Sequence, residues 1–189
     1  MSLLAHPAED LLHRFASAYP TPGCGSAAAL AGALAAALVE MVASLPKTRT
    51  GAPDEREKLD AAKASAAKAG GRLRQLVDED TDAFNAVTGA YRMPRVTEDE
   101  KAARSAAIAK AMRQATEVPL ETCERAGEVL RAAAQALAHG NQSAASDARI
   151  AVYHGDFQWS NLLYSRKAEL LAVIDWELCG IGPTLNDLG

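Results

Sequence analysis

Apolar residues recur along most of this chain at the spacing of amphipathic helices. They fall on one helix face over residues 9–18 and fill residues 27–39 almost completely. Two longer stripes then follow, with apolar residues at alternating steps of three and four. The first stripe is Leu59, Ala62, Ala66, Ala69, Leu73, Leu76, Phe84, Val87 and Tyr91, and the second is Leu120, Cys123, Gly127, Leu130, Ala134 and Leu137. These stripes predict an antiparallel bundle of long helices.

Residues that start or stop helices divide the pattern. Ser26 is suited to N-cap the apolar helix, which extends to about residue 45, and Pro53 is suited to begin the next helix. Thr97 and Glu100 have the spacing of a capping box. Pro119 predicts a kink or a restart in the following helix, because proline removes a backbone donor and clashes with the preceding turn.

The pattern of apolar residues changes after residue 147. Residues 150–153 and 170–174 are short apolar runs typical of strands, whereas nothing before them is strand-like. We therefore expect an all-α fold, an antiparallel multi-helix bundle over residues 1–147, with a short β-prone C-terminal appendage over residues 148–189.

Composition excludes several classes of protein. The 189 residues carry a net charge of -4 from interspersed charges, with no basic stripe of the kind that nucleic acid attracts. Three separated cysteines indicate free thiols, and Cys123 is expected to be buried. The N-terminus lacks the features of a signal peptide, and residues 27–39 are shorter than the roughly 20 residues that span a bilayer. A cytoplasmic protein with no membrane or nucleic-acid partner is expected.

A glycine-containing turn precedes the apolar helix. Residues 23–26 read Gly-Cys-Gly-Ser and would place free backbone amides at a helix N-terminus, which suits an anionic or carbonyl-bearing ligand. A tight interhelical turn explains the same residues equally well. A dinucleotide fingerprint does not, because a helix rather than a strand precedes the turn.

Asp80 interrupts the first apolar stripe between Leu76 and Phe84. A carboxylate on a core-facing stripe needs a partner or a chemical role. If it lined a cleft, it could exchange protons with a substrate near neutral pH. A hydrogen bond to the end of a neighbouring helix is the alternative. Asp82 and Asn85 lie close by in sequence and are weaker candidates.

Four ordered blocks resemble the formiminotransferase-cyclodeaminase and methenyltetrahydrofolate cyclohydrolase family. They are Tyr-Pro-Thr-Pro-Gly-Cys-Gly-Ser at residues 19–26, Asp-Thr-Asp-Ala-Phe-Asn-Ala-Val at 80–87, Ala-Thr-Glu-Val-Pro-Leu at 115–120 and Gly-Asn-Gln-Ser-Ala-Ala-Ser-Asp at 140–147. The resemblance implies a dimeric helical enzyme that acts on the one-carbon unit bridging N5 and N10 of tetrahydrofolate. Both family reactions pass through a tetrahedral carbon, so they need a general acid or base and no metal or redox cofactor.

The resemblance also implies roles for individual residues. Asp80 or Asp147 is expected to be the general acid or base. Lys47 and Arg49 are the candidates to meet the glutamate tail of the folate. Both could equally be solvated loop charges, which is the favoured interpretation for Arg49. The remaining residues expected to bind substrate are Pro22, Gly23, Cys24, Gly25, Ser26, Asp82, Asn85, Asn141 and Ser146.

The chain departs from that family in two places. Cys24 stands where the family's turn has its middle glycine, and a positive φ there would cost about 1 kcal/mol or more. The family continues after residue 147 with another alanine-rich helix, which this sequence lacks. A natural fusion, a frameshift or a misassembled sequence would each produce such a join.

Residues 150–189 instead resemble the aminoglycoside phosphotransferase and choline kinase-like family. The resemblance makes Asp156 the acceptor of a hydroxyl proton, and Asn161 and Asp175 the magnesium ligands. No phosphate-covering loop or strand lysine precedes them, so these residues are expected to be vestigial. The alternative function is a phosphotransferase fragment or pseudokinase-like binding module on a helical dimerisation platform. A non-catalytic helical dimer is the third possibility.

Overall fold

The computed structural model describes residues 2–141 and the backbone of four short strands between residues 150 and 183. A 3-10 turn at Leu3–Ala5 is followed by helices α1 (Ala8–Phe15), α2 (Cys24–Ala43), α3 (Pro53–Tyr91) and α4 (Glu98–His139). The backbone amide of Leu3 donates to Asp78 on α3 at 2.7 Å, which fixes the N-terminal turn. The body of the fold is a helical bundle, as the hydrophobic pattern predicted.

Two of the expected helix boundaries are confirmed. Helix α3 begins at Pro53. At the start of α4, the amide of Glu100 donates to the Thr97 hydroxyl at 3.2 Å, and the amide of Thr97 donates to the Glu100 carboxylate at 3.1 Å. These reciprocal bonds satisfy backbone donors that the helix leaves free, so the capping box is present.

Three other boundaries differ from the sequence prediction. Helix α1 ends at Phe15 rather than near residue 18. Helix α2 starts at Cys24, so Ser26 lies within its first turn and is not its N-cap. Helix α4 is continuous through Pro119 and does not restart. Packing explains this continuity, because the neighbouring Val118 and Thr122 are both buried and hold the helix against the core.

The chain divides into two compact units. One comprises Met1–Ala33 and Lys68–Glu128, and the other comprises Leu34–Ala67 and Val129–Gly189. In the first unit, Gly32 of α2 lies against Leu73 of α3, where an added Cβ would stand 3.1 Å from the leucine side chain. Small residues on α2 therefore let the two helices approach closely.

The cores of both units consist mainly of alanine, valine and leucine. In the first unit the most buried apolar residues include Ala29, Ala69, Leu73, Leu76, Val77 and Ala83, and in the second they include Ala36, Val42, Ala43, Leu59, Ala66 and Val129. Helix α2 is long and apolar enough to cross a membrane by length and composition, with a mean hydropathy of 1.8. Ala29, Ala36 and Val42 of this helix are buried in the structure.

The two predicted stripes are only partly buried. The α3 stripe is buried as far as Leu76, but Phe84 and Tyr91 are 43% and 53% exposed. On α4 the side chains of Leu120, Leu130 and Leu137 are more than half exposed, and Cys123 is exposed, so its expected burial was wrong. Other residues of α4, among them Val118, Val129, Ala132 and Ala136, face the core instead.

An ion-pair network joins α3 and α4 in the first unit. The Arg72 guanidinium binds Glu79 on its own helix and Glu121 on α4, with the nearest Glu121 oxygen at 2.7 Å. Bonds from Arg72 lower the pKa of the Glu121 carboxyl below its usual value. Because each group is bound in a forked geometry, the network fixes the register of the two helices.

The C-terminal region contains two antiparallel strand pairs. Strand β1 (Ile150–Tyr153) pairs with β4 (Gly180–Pro183), and β2 (Leu162–Tyr164) pairs with β3 (Leu170–Val173). β1 and β3 are the runs expected from their apolar residues, whereas β2 and β4 were not predicted. The β-prone character of this appendage is thus confirmed at the level of its backbone.

Candidate functional site

The most specific polar contact in the first unit joins Asp80 of α3 to the first turn of α2. One carboxylate oxygen, Oδ2, accepts hydrogen bonds from the backbone amide of Ser26 at 2.8 Å and from its hydroxyl at 2.9 Å. The Ser26 hydroxyl also lies 3.3 Å from that of Thr81. Ser26 is fully buried, whereas Asp80 is partly exposed. A carboxylate at a helix N-terminus is favoured by the helix dipole.

The absence of a side chain at Gly25 makes this contact possible. A Cβ at Gly25 would clash with the carboxylate of Asp80, including both of its oxygens. Glycine is therefore required here by the close approach of α3 to the start of α2, rather than by an unusual φ. The chain's own carboxylate occupies the position where the sequence suggested an external anion.

Among the described residues, only Ser26 binds the Asp80 carboxylate, and it binds one of the two oxygens. Oδ1 accepts no hydrogen bond from any residue that the structure describes, while Oδ2 is held by Ser26. The hydrogen bond between Asp80 and the end of a neighbouring helix, which was the alternative to a chemical role, is therefore present. It uses only one of the two carboxylate oxygens. A fixed carboxylate in which one oxygen accepts no hydrogen bond from the described residues can exchange a proton with a bound molecule.

The rest of the predicted turn surrounds this contact. Pro22 is buried and follows a cis peptide bond, and Gly23 is half-buried. Cys24 is exposed and begins α2 with helical backbone, so the strain of a positive φ does not arise. Asp82 and Asn85 lie on exposed parts of α3 and make no described contact with Asp80. The structure thus brings Gly25 and Ser26 of the predicted turn together with Asp80.

A second candidate region, in the other unit, is the loop between α2 and α3. Glu55 on the first turn of α3 is 5% exposed and accepts bonds from the amides of Thr50 and Gly51 at 3.0 and 3.1 Å, and from the Thr50 hydroxyl. The Thr48 hydroxyl and the Thr50 amide together hold the pKa of Glu55 at about 2. The Glu55 carboxylate therefore holds the loop that carries Lys47 in place.

The same loop is attached to the end of α4. The amide of Arg49 donates to the carbonyl of His139 at 2.8 Å, and its guanidinium donates to the carbonyl of Ala138. Thr48 pairs with Gly140, which directly precedes the half-buried Asn141. Arg49 therefore contacts the end of α4 while its side chain is exposed, and its expected contact with the folate stays a prediction. Lys47 is exposed and makes no described ion pair, so it can meet a ligand.

Several predicted residues fall outside the described structure. In sequence, Ser146 and Asp147 come between α4 and β1. Asp156 and Asn161 come between β1 and β2, and Asp175 comes between β3 and β4. Their proposed roles, and the resemblance of residues 150–189 to phosphotransferases, stay predictions.

One feature of the first unit was missed by sequence reasoning. A cavity of about 310 Å³ is lined by Arg95, Lys101, Arg104, Ser105 and Ile108. The last four residues recur at steps of three, one and three on α4, so they share a helix face. The three-residue spacing of Lys101 and Arg104 could have indicated a cationic helix face from the sequence. It could not have shown that Arg95, in the preceding loop, also lines the cavity.

Comparison with known proteins decides the family. Residues 7–159 match the family described as formiminotransferase-cyclodeaminase. The match includes residues 22–26, Asp80, Lys47 and Asn141. The chain belongs to the formiminotransferase-cyclodeaminase family. Its match continues past residue 147, where the helical body was expected to end, and that domain boundary stays a prediction.

Individual relatives place the chain more closely within this family. It is 40% identical over 144 residues to a protein of Methylorubrum extorquens named methenyltetrahydrofolate cyclohydrolase, covering 76% of this chain and 69% of the relative. It is 33% identical to the formimidoyltransferase-cyclodeaminase of Sus scrofa, covering 79% of this chain and 28% of the relative. The pig protein is therefore much longer than the part that matches.

A solved structure shares the fold. The crystal structure of formiminotetrahydrofolate cyclodeaminase from Thermotoga maritima superposes with a TM-score of 0.65 at 25% identity, covering 78% of this chain and 69% of that one. The agreement supports the helical-bundle assignment independently of the hydrophobic pattern.

Proposed function

We propose that this protein is a tetrahydrofolate one-carbon enzyme that acts at the N5/N10 bridge, as a methenyltetrahydrofolate cyclohydrolase or a formiminotetrahydrofolate cyclodeaminase. The observation that carries the proposal is the Asp80 carboxylate, in a chain of this family. One of its oxygens is fixed on Ser26, and the other accepts no hydrogen bond from the described part of the chain. Similarity to the Methylorubrum cyclohydrolase over 69% of its length favours the cyclohydrolase reaction. Structural similarity to the Thermotoga cyclodeaminase supports the cyclodeaminase reaction.

In the cyclohydrolase reaction, Asp80 acts as a general base and then as a general acid. Water adds to the methenyl carbon while Oδ1 takes a proton from it, which gives a tetrahedral carbon between two nitrogens. The bond from this carbon to N5 then breaks as the hydroxyl on the same carbon loses its proton and becomes the formyl carbonyl. N5 takes up one of the two protons of the added water from Asp80 and the other is released to solvent, which leaves 10-formyltetrahydrofolate. No electron acceptor is required, so we propose that the enzyme uses no redox cofactor and no metal.

The cyclodeaminase reaction would use the same carboxylate in a different proton transfer. N10 attacks the formimino carbon on N5, and the amino group of the resulting tetrahedral carbon leaves as ammonia after it gains a proton. Asp80 is suited to move the proton from N10 to this leaving nitrogen. The pair of reactions shares one ligand skeleton, so one site can support either.

The second candidate region supplies residues for substrate binding. Lys47 is an exposed cation on a loop that Glu55 holds in place, and Asn141 adjoins the strand bridge that ties this loop to α4. We propose that both contact polar groups of the folate. Asp147 stays a proposed alternative for the acid or base role.

We also propose that two chains form a homodimer through the exposed stripe on α4. The stripe has the three-four spacing of a coiled-coil seam, and Leu120, Leu130 and Leu137 are 60%, 54% and 52% exposed. Glu124 and Arg131 flank it on one side, seven residues apart. In an antiparallel pair, Glu124 of each chain faces Arg131 of the other, so the charges favour a second copy as the occupant. We place this dimer in the cytoplasm, without nucleic-acid partners.

One assay tests the catalytic proposal. Purified protein is mixed with 5,10-methenyltetrahydrofolate and the loss of its near-ultraviolet absorbance is followed, beside ammonia release from 5-formiminotetrahydrofolate. Asp80→Asn keeps an oxygen that can accept from Ser26 but cannot take a proton, so we expect kcat to fall about 100-fold or more with little change in melting temperature.

Asp10→Asn is the matched control, because Asp10 is exposed on α1 and distant in sequence from the proposed site. Full activity of Asp80→Asn in both reactions would exclude the assigned role of Asp80. Absence of either reaction in the wild-type protein would exclude the proposed function itself.

A further inference from the structure

A chain of polar groups lies behind the Asp80 carboxylate in the first unit. Ser26 donates its backbone amide and its hydroxyl to Oδ2 of Asp80, at 2.8 and 2.9 Å. The oxygen of the same hydroxyl lies 3.3 Å from the hydroxyl of Thr81. Ser26 is fully buried and Thr81 is half-buried. The Thr81 side chain makes no described hydrogen bond to Asp80 itself, so its influence on the carboxylate passes through Ser26.

The direction of these hydrogen bonds follows from the number of hydrogens available. A serine hydroxyl carries one hydrogen, and an ionised carboxylate can only accept. The Ser26 hydroxyl donates to Oδ2, so its oxygen accepts in the contact with Thr81, and Thr81 is the donor. A hydroxyl that accepts a hydrogen bond becomes a stronger donor, because the bonds in such a chain polarise one another. Thr81 therefore strengthens the bond from Ser26 to Asp80.

The other threonines of the described helices use their hydroxyls differently. Thr88, Thr116 and Thr122 each donate to the backbone carbonyl four residues earlier, at 3.1, 2.9 and 3.0 Å. This is the usual local bond of a threonine inside a helix. Thr81 makes no such bond to the carbonyl of Val77, and its hydroxyl meets Ser26 instead. The side chain of Thr81 has thus exchanged a local bond for a contact with another helix.

We propose that Thr81 is a positioning residue that acts on Asp80 through the Ser26 hydroxyl. Because both donors of Ser26 are held on Oδ2, the proton that Asp80 takes from water and passes to N5 is carried on Oδ1. Ser26 and Thr81 themselves neither gain nor lose a proton. The inference rests on the proposed function and adds the residue that determines which oxygen of Asp80 exchanges the proton.

Two substitutions separate the Thr81 hydroxyl from the shape of the side chain. Thr81→Val removes the hydroxyl and keeps the branched shape, whereas Thr81→Ser keeps the hydroxyl. We expect Thr81→Val to lower kcat about three- to tenfold, the range for one neutral hydrogen bond, and to change KM less than about twofold. Thr81→Ser should retain the wild-type kcat. Unchanged kcat in Thr81→Val, or an equal loss in Thr81→Ser, would overturn the proposal.

Thr88→Val is the matched control for Thr81→Val. Thr88 is half-buried on the same helix, and its hydroxyl is bound to a backbone carbonyl of that helix. This variant should keep the kcat and KM of the wild type. A loss of kcat equal to that of Thr81→Val would show a general effect of removing a hydroxyl from α3 and would contradict the assignment.

A double-variant cycle tests whether Thr81 acts through Ser26. Ser26→Ala removes the hydroxyl but keeps the backbone amide that binds Oδ2. In this background Thr81→Val should lower kcat no further, because the group that connects Thr81 to Asp80 is gone. Fully additive losses would show that Thr81 acts by another route and would overturn the proposal. Melting temperatures of all four proteins separate these kinetic effects from a loss of folded protein.

Neutron diffraction from crystals of the deuterated full-length protein tests the bond directions without any reaction. We expect the Ser26 deuterium to point at Oδ2 of Asp80 and the Thr81 deuterium to point at Ser26. A Thr81 deuterium directed at the carbonyl of Val77 would overturn the proposal. An inactive wild-type protein with the expected deuterium positions would refute the proposed reaction and keep the hydrogen-bond chain. An active enzyme whose kcat does not respond to Thr81→Val would refute the positioning role alone.

Discussion

At the scale of single residues, Gly25 is the position where a small change has the largest expected effect. An alanine inside a helix is usually more stable than glycine by about 1 kcal/mol. At Gly25 the added Cβ would meet the Asp80 carboxylate, so we expect the opposite sign. Gly25→Ala should lose about 1–3 kcal/mol of unfolding free energy, measured by urea denaturation, and most of the folate activity.

Gly89→Ala provides the comparison for Gly25→Ala. Gly89 is also within a helix, α3, but an added Cβ there would meet no atom within 4 Å. This variant should therefore be as stable as the wild type or more stable by up to about 1 kcal/mol, with unchanged activity. Equal effects of the two alanines would show that Gly25 does not hold Asp80 in place.

The sequence identified the important residues of this contact but not the contact itself. Asp80 was noticeable because it interrupts an apolar stripe, and Ser26 because serine commonly caps helices. Sequence spacing could not show that they bind each other, since a carboxylate from α3 takes over the capping role at α2. A cap supplied by a distant helix leaves no local pattern.

At the scale of elements, the loop between α2 and α3 depends on Glu55. Its carboxylate binds Thr48, Thr50 and Gly51, and its pKa is about 2 in the folded protein against an ordinary 4.5. The folded state thus favours the ionised form. The stabilisation is fully present above pH 4.5 and is lost as the pH falls towards 2.

Glu55→Gln should therefore lower the melting temperature at pH 7 and reduce the acid-dependent loss of stability between pH 4.5 and 2. Thermal unfolding of both proteins across this range measures the difference, which should shrink as the pH falls. Glu57→Gln, at an exposed position on the same turn, is the control and should follow the wild type throughout. A constant difference between wild type and Glu55→Gln at all pH values would contradict this account.

Periodicity predicted the helices better than it predicted which faces are buried. The starts of α3 and α4 followed from Pro53 and from Thr97 with Glu100, because these signals act locally. The α4 stripe was read as a helix seam, yet its leucines are exposed while Val118 and Val129 face the core. Alanine-rich helices carry small apolar residues on several faces, so spacing alone does not select the buried one.

At the scale of the whole molecule, the exposed leucines of α4 determine the expected oligomeric state. Leu130→Arg places a charge in the centre of the proposed seam, where it would remain buried and unpaired in a dimer. We expect this variant to be monomeric by size-exclusion chromatography with light scattering. Val96→Arg, at a loop position that is 85% exposed, should leave the dimer intact.

Charge reversal tests the orientation of the two chains. Glu124→Arg alone would bring like charges together and weaken the dimer, whereas Glu124→Arg with Arg131→Glu should restore it. A dimer that survives Leu130→Arg would place the interface elsewhere. A wild-type protein that is monomeric at every concentration would exclude the dimer.

The helical fold of residues 2–141 was accessible from sequence, whereas the assembly of two chains was only suggested. Helical periodicity and the four blocks at residues 19–26, 80–87, 115–120 and 140–147 led to the correct family and to an all-α body. The β-prone appendage was recognised from two apolar runs. β4 was missed because Gly180–Pro183 contains two glycines and a proline, and β2 was missed because Leu162–Tyr164 is only 3 residues long.

The leucine stripe of α4 also makes protein concentration a thermodynamic variable. If two chains must meet to cover these side chains, folding and association share one equilibrium, and mass action adds stability as the protein becomes more abundant. The melting temperature should then rise with protein concentration, and dilution should release single chains that expose an apolar surface. A cell that makes little of this protein would possess a less stable enzyme than a cell that makes much of it.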